Sequence, residues 1–79
     1  MLELADLQRI PESSRPYYFK VELHGGEATF YNLLSTGQPE AVKVFDGSES
    51  AIDRRFKHEI VEGEDWYFGL TGGAKVFYR

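Results

Sequence analysis

Two histidines, thirteen carboxylates and one short basic run are the residues of this 79-residue chain whose types invite a chemical reading. His24 sits beside Gly25 with Glu22 and Glu27 close in sequence, while His58 stands alone far along the chain. Zinc sites draw three or four ligands from tight arrays such as H-E-x-x-H or C-x-x-C. Neither array is present and there is no cysteine. Both histidines therefore read as ordinary surface or half-buried residues, and neither a metal nor another cofactor is expected. No serine lies in a G-x-S-x-G context, and the stretch Thr71-Gly-Gly-Ala-Lys75 lacks the spacing of a phosphate-binding loop. Acid–base catalysis needs two carboxylates held in contrasting environments inside a cleft. A chain this short encloses a cleft of roughly 300–1,000 Å³ with difficulty. The expectation is a protein that is not an enzyme.

Binding is the other kind of chemistry, and three stretches bear on it. Arg54-Arg55-Phe56-Lys57-His58 is the basic run. On a helix, Arg54, Lys57 and His58 fall within one turn, but Asp53, Glu59 and Glu62 are near enough to pair with them at a few tenths of a kcal/mol each. Tyr18, Lys20, Tyr31, Lys43 and Phe45 are expected on one uncovered sheet face. Aromatics interleaved with lysines suit stacked bases of single-stranded nucleic acid, whereas Tyr and Phe are also enriched at protein interfaces. The net charge of −4 favours the protein interface and an expectation of no direct nucleic-acid contact. The third stretch is acidic: Glu59, Glu62, Glu64 and Asp65 gather where a helix is expected to end, a surface for a basic partner.

The elements that would position these residues are read from spacing. Tyr17–His24 and Glu27–Leu34 flank Gly25-Gly26, a strong hairpin signal. Alternation puts Tyr17, Phe19, Val21 and Leu23 on the core face with Ala28, Phe30, Asn32 and Leu34. A turn-rich loop, Ser35–Pro39, leads to a third strand over Glu40–Asp46, antiparallel to the second. Asp46-Gly-Ser-Glu49 has capping-box spacing, Ile52, Phe56 and Ile60 recur every four residues, and Gly63 suits a helix C-terminus, so a surface helix is predicted from Ser48 to Val61. Asp65–Thr71 and Ala74–Arg79 around Gly72-Gly73 predict a second hairpin. At the N-terminus, Leu2, Leu4, Leu7 and Ile10 fit a short helix over residues 2–10 ended by Pro11, with an edge strand over residues 2–7 as the alternative.

The expected fold is a single α+β domain over residues 1–79: an antiparallel sheet in β-β-β-α-β-β order, one helix on one face, and a short N-terminal helical turn. Twelve aromatics are a large supply for so small a core, which leaves some for a partner or a second copy. No run approaches the roughly 20 apolar residues of a membrane span, and the N-terminus lacks the pattern of a signal peptide. A cytoplasmic protein is expected, with no membrane contact. In size, acidity and a sheet with one helix, the chain resembles phage-encoded inhibitors of the anti-CRISPR kind. That resemblance is one of general make-up over the whole length and transfers no residue. It implies an acidic, non-catalytic binding protein that inhibits a larger partner by occluding its basic, nucleic-acid-binding surface. The candidate contact residues are Glu59, Glu62, Glu64, Asp65, Tyr18, Tyr31 and Phe45. The alternatives are a homodimer joined through the aromatic sheet face and a single-stranded nucleic-acid binder.

Overall fold

Alternation of apolar and polar residues dominates the chain, and the fold follows it almost throughout. A computed structural model describes residues 3–79. They form seven strands: β1 (Gln8–Ile10), β2 (Tyr17–Glu22), β3 (Glu27–Leu33), β4 (Pro39–Phe45), β5 (Arg55–His58), β6 (Trp66–Thr71) and β7 (Lys75–Tyr78). Every pairing is antiparallel, in one sheet of order β1-β6-β3-β4 and another of order β5-β2-β7. The sheets close on an aromatic interior. The ring of Phe19 from β2 lies 5.5 Å from Phe30 and 5.6 Å from Phe68 of the facing sheet. Phe30 and Phe68 are fully buried, with Val21, Ala28, Ile10 and Ile60 around them. Such tilted aromatic pairs each add about 0.5–1.5 kcal/mol beyond the area they bury.

The predicted α+β class is overturned. Among the described residues the only helical segment is a 3-10 turn, Leu4–Asp6, and residues 48–61 form turns followed by β5. Four-residue spacing is the source of the error, because four is close to one helical turn and is also twice the strand period. Phe56, His58 and Ile60 therefore share the inward face of an extended segment. Ile52, the first member of the supposed helical stripe, is 81% exposed. The capping-box carboxylate is used without a helix: Glu49 accepts the N–H groups of Asp46 and Gly47 and binds the Arg54 guanidinium at 3.0 Å. Gly63 does adopt a positive φ of 89°, in a turn closed by Glu64 N–H donating to the Val61 carbonyl.

Neither glycine pair makes a hairpin of paired strands. In the first turn the Gly26 N–H donates to the Leu23 carbonyl, with positive φ at His24 (47°) and Gly25 (85°), the geometry of a type I′ turn. Its central residues are thus His24 and Gly25, one position earlier than expected. Beyond it β2 joins β5 and β7, while β3 joins β6 and β4. The second turn, Thr71–Ala74, likewise carries the chain from one sheet to the other. The two turns lie against each other with no side chain between: a Cβ on Gly26 would sit 1.9 Å from the Thr71 carbonyl oxygen, and one on Gly72 would sit 2.9 Å from the Gly26 Cα. Of the expected core face, Phe19, Val21, Leu23, Ala28 and Phe30 are nonetheless buried, while Tyr17 and Asn32 are half-buried and Leu34, past the end of β3, is 39% exposed. Alternation along one strand sets its faces whichever neighbour it pairs with.

The third strand pairs with the second as expected, with a register shift at Phe30/Tyr31. The N-terminal helix over residues 2–10 gives way to the 3-10 turn and β1, which lines the edge of β6; Leu2 lies outside the described residues.

Candidate functional site

The outer face of β5-β2-β7 is built by the half of the alternation that the core does not use. Along β2 the outward residues are Tyr18, Lys20 and Glu22. On one side β5 places Lys57 opposite Tyr18 and Arg55 opposite Lys20. On the other, β7 places Phe77 opposite Lys20 and Lys75 opposite Glu22, while Arg79 exchanges backbone hydrogen bonds with Tyr18. Five of the chain's nine Lys and Arg residues thus share a face with one of its thirteen acids. Two aromatics stand among them, Tyr18 at 56% and Phe77 at 49% exposure. Tyr18, Lys20, Arg55, Lys57, Phe77 and Arg79 line a shallow groove of about 600 Å³.

The electrostatics of this face are uneven. Glu22 takes the Lys20 ammonium at 3.1 Å and the His24 imidazole at 3.0 Å. The hydrogen bond from His24, then that from Lys20, holds its carboxyl below the usual range. Arg55, Lys57, Lys75 and Arg79 form no ion pair among the described residues. The Lys57 ammonium instead lies 6.0 Å from the centre of the Tyr18 ring, an outer-range cation–π contact. The end of the face near Tyr18 is therefore the more strongly cationic.

The residues singled out from sequence are dispersed. Tyr18 lies on this face, but Tyr31 is on the outer face of the other sheet, beside Tyr67. Phe45 is only 4% exposed, stacked on Phe56 at 5.7 Å, so it cannot contact a partner. Lys43 also turns inward, its ammonium 5.2 Å from the Phe56 ring. The single uncovered face expected to join Tyr18, Lys20, Tyr31, Lys43 and Phe45 does not exist. Glu59, Glu62, Glu64 and Asp65 do stay together, in the loop between β5 and β6 rather than on a helix. Two of them have internal roles: Asp65 pairs with Arg9 at 3.1 Å, and Glu64 accepts the Trp66 indole N–H at 3.3 Å. Glu59 and Glu62 border a shallow surface hollow with Glu12 and Ser13.

His58 points into the core margin, edge-on to Trp66 at 4.3 Å and to Phe30 at 5.1 Å. Burial pushes its imidazole below the ordinary histidine pKa; the Lys43 charge adds to this, and Glu64 and Glu59 oppose it. Among the described residues no group of three or more His, Asp or Glu side chains is close enough to hold a metal. No helix among them is long and apolar enough to cross a membrane.

A helix over the basic run would separate Arg55 and Lys57, two of the five cations of this face, from the other three. On the strand, Arg55 and Lys57 point outward, His58 points inward, and Arg54 is spent on Glu49. Lys75, Phe77 and Arg79 were legible as one strand face, since they alternate with Val76 and Tyr78; which strand they flank was not. No family model, curated protein or solved structure matches this chain. The general resemblance to anti-CRISPR inhibitors loses its sheet-plus-helix component with the fold.

Proposed function

We propose that the protein is a non-catalytic binding module that holds an anionic partner on the outer face of β5-β2-β7. The observation that carries this reading is the concentration of Lys20, Arg55, Lys57, Lys75 and Arg79 on one face of a chain whose net charge is −4. Charges on a folded surface act within about a Debye length, some 8 Å at physiological salt, so a ligand on this face meets its local charge more than the net charge. A net negative charge therefore does not by itself keep nucleic acid from this face. Retention on immobilised heparin tests the reading. The protein is expected to bind at about 50 mM salt and elute as salt rises. Arg55→Glu with Lys57→Glu should abolish retention, and Glu59→Lys with Glu62→Lys should not weaken it. Flow-through of the unaltered protein at low salt would overturn the proposal.

A second reading draws on the remainder of the surface, which holds four bases and twelve acids. The β5–β6 loop would then occlude a basic, nucleic-acid-binding surface of a larger protein. Reversal of Glu62, Glu64 and Asp65 to lysine should abolish that association, and association unchanged by the triple reversal excludes it.

A further inference from the structure

We infer that the anionic ligand of the β5-β2-β7 face is single-stranded nucleic acid, with bases laid on Tyr18 and Phe77 and phosphates held by Arg55, Lys57 and Arg79. This rests on the anionic-partner reading above and adds the chemistry that the two aromatics supply.

Folding does not explain the aromatics. Tyr18 and Phe77 point away from the core, and each leaves about half its surface in water. Phe19, Phe30, Phe45, Phe68 and Trp66 are all buried. The two exposed rings occupy diagonal positions on adjacent strands, because Tyr18 is opposite Arg79 while Phe77 is opposite Lys20. Diagonal neighbours in an antiparallel pair stand about 7–8 Å apart. Two flat platforms at that separation each accept one base of an extended strand, whose bases are free to leave their own stack. A duplex keeps its bases stacked inside and offers these rings only its backbone.

The cations surround the platforms on both sides. Lys57 and Arg55 rise from β5, Arg79 and Lys75 from the β7 side, and Lys20 from β2 between them. A backbone passing over the rings therefore meets positive charge at either margin. Three of those cations, Arg55, Lys57 and Arg79, are the ones without a carboxylate partner near the rings. A polyglutamate chain has no flat ring to lay on these platforms and would use the charges alone.

Fluorescence polarisation with a labelled oligothymidine of about 12 nucleotides tests the inference, beside a labelled heparin fragment that has charge and no bases. The oligothymidine is expected to bind with log K falling against log salt by about 0.7 for each phosphate neutralised. Tyr18→Ala and Phe77→Ala should each weaken it about 5- to 100-fold and leave heparin binding unchanged. Both sites are exposed, and circular dichroism with Tyr18→Leu as a second, non-stacking variant separates lost stacking from lost folding. If the aromatic variants bind oligothymidine as the unaltered protein does, while Arg55→Glu with Lys57→Glu abolishes both ligands, the single-strand inference is overturned and the anionic-partner reading stands. Equal competition by a duplex or by polyglutamate also overturns it. Failure of the unaltered protein to bind either ligand at low salt overturns both.

Discussion

The outer faces of the two sheets obey the same alternation and meet opposite fates. On the β1-β6-β3-β4 side the chain covers part of its own surface. Gly69 leaves a gap that the Leu7 side chain and the Tyr31 ring fill, each at 3.0 Å from where a Cβ would stand. Arg9 pairs with Asp65 at one end of that face, and Tyr31 and Tyr67 are left half-buried. On the β5-β2-β7 side Lys20, Arg55, Lys57 and Lys75 are all exposed, with Tyr18 and Phe77 among them, and no segment of the described residues covers them. The first face is partly covered and otherwise largely apolar, with Val44 56% exposed opposite Thr29, whereas the second is charged. The charged one keeps the information about a partner, because its cations and its two bare aromatics are not consumed by folding.

The contrast can be broken most severely at the corner that joins the sheets. Gly26→Ala drives a methyl into the Thr71 carbonyl oxygen, 1.9 Å from the Cβ position. It should cost about 3 kcal/mol and lower the thermal midpoint by roughly 12–24 °C. Gly25→Ala next to it meets open space and opposes only a positive φ of 85°, so it should cost about 1 kcal/mol. Equal losses at the two positions would refute the close-approach account of the corner.

A smaller effect is expected where the chain covers itself. Leu7→Ala uncovers Gly69 and Tyr31 and should cost about 1–2 kcal/mol in denaturant titration, with anionic-ligand binding untouched. The open face should respond in the reverse manner. Tyr18→Ala and Lys57→Ala are expected to change stability by less than about 0.5 kcal/mol, while Tyr18→Ala weakens oligonucleotide binding alone and Lys57→Ala weakens binding of both oligonucleotide and heparin. A variant that lost both stability and binding would erase the distinction between the two faces.

The mildest test is pH. The His58 imidazole is held below its ordinary pKa of about 6.5 by burial against Trp66 and Phe30. Below that value the unfolded chain takes up the proton before the folded one does, so stability from this group is fully present above about pH 6.5 and declines as pH falls. His58→Gln should flatten that decline in denaturant midpoints measured between about pH 7.5 and 5.5. A slope of the opposite sign in the unaltered protein would show that charge attraction to Glu64 and Glu59 outweighs burial.

Much of this architecture was legible in local pattern, and the remainder was not for identifiable reasons. Five strands, the loop at Ser35–Pro39 and both glycine turns follow from alternation and turn residues. The inward set Phe19, Val21, Leu23, Ala28 and Phe30 follows from the same alternation. Residues 55–60 were misread because Phe56 and Ile60, four apart, satisfy a helix and a strand equally. The exposed Tyr18 was recognised, while Phe77, Arg55 and Arg79 were not brought to it, since their positions depend on which strands flank β2.

By itself the sequence determined five of the seven strand segments, the inward residues of β2 and of the first half of β3, and a glycine turn after each of β2 and β6. It also lacks the H-E-x-x-H, C-x-x-C and G-x-S-x-G patterns. Beyond the β3–β4 pair, tertiary structure alone decided strand partnership. A type I′ turn ordinarily joins paired strands, yet the Gly26–Gly72 contact lets the two turns cross between sheets, and β2 meets β5 and β7 across long stretches of chain. Pairing at such separation depends on how the aromatic core closes, which no local period encodes. The cationic face exists only after that closure.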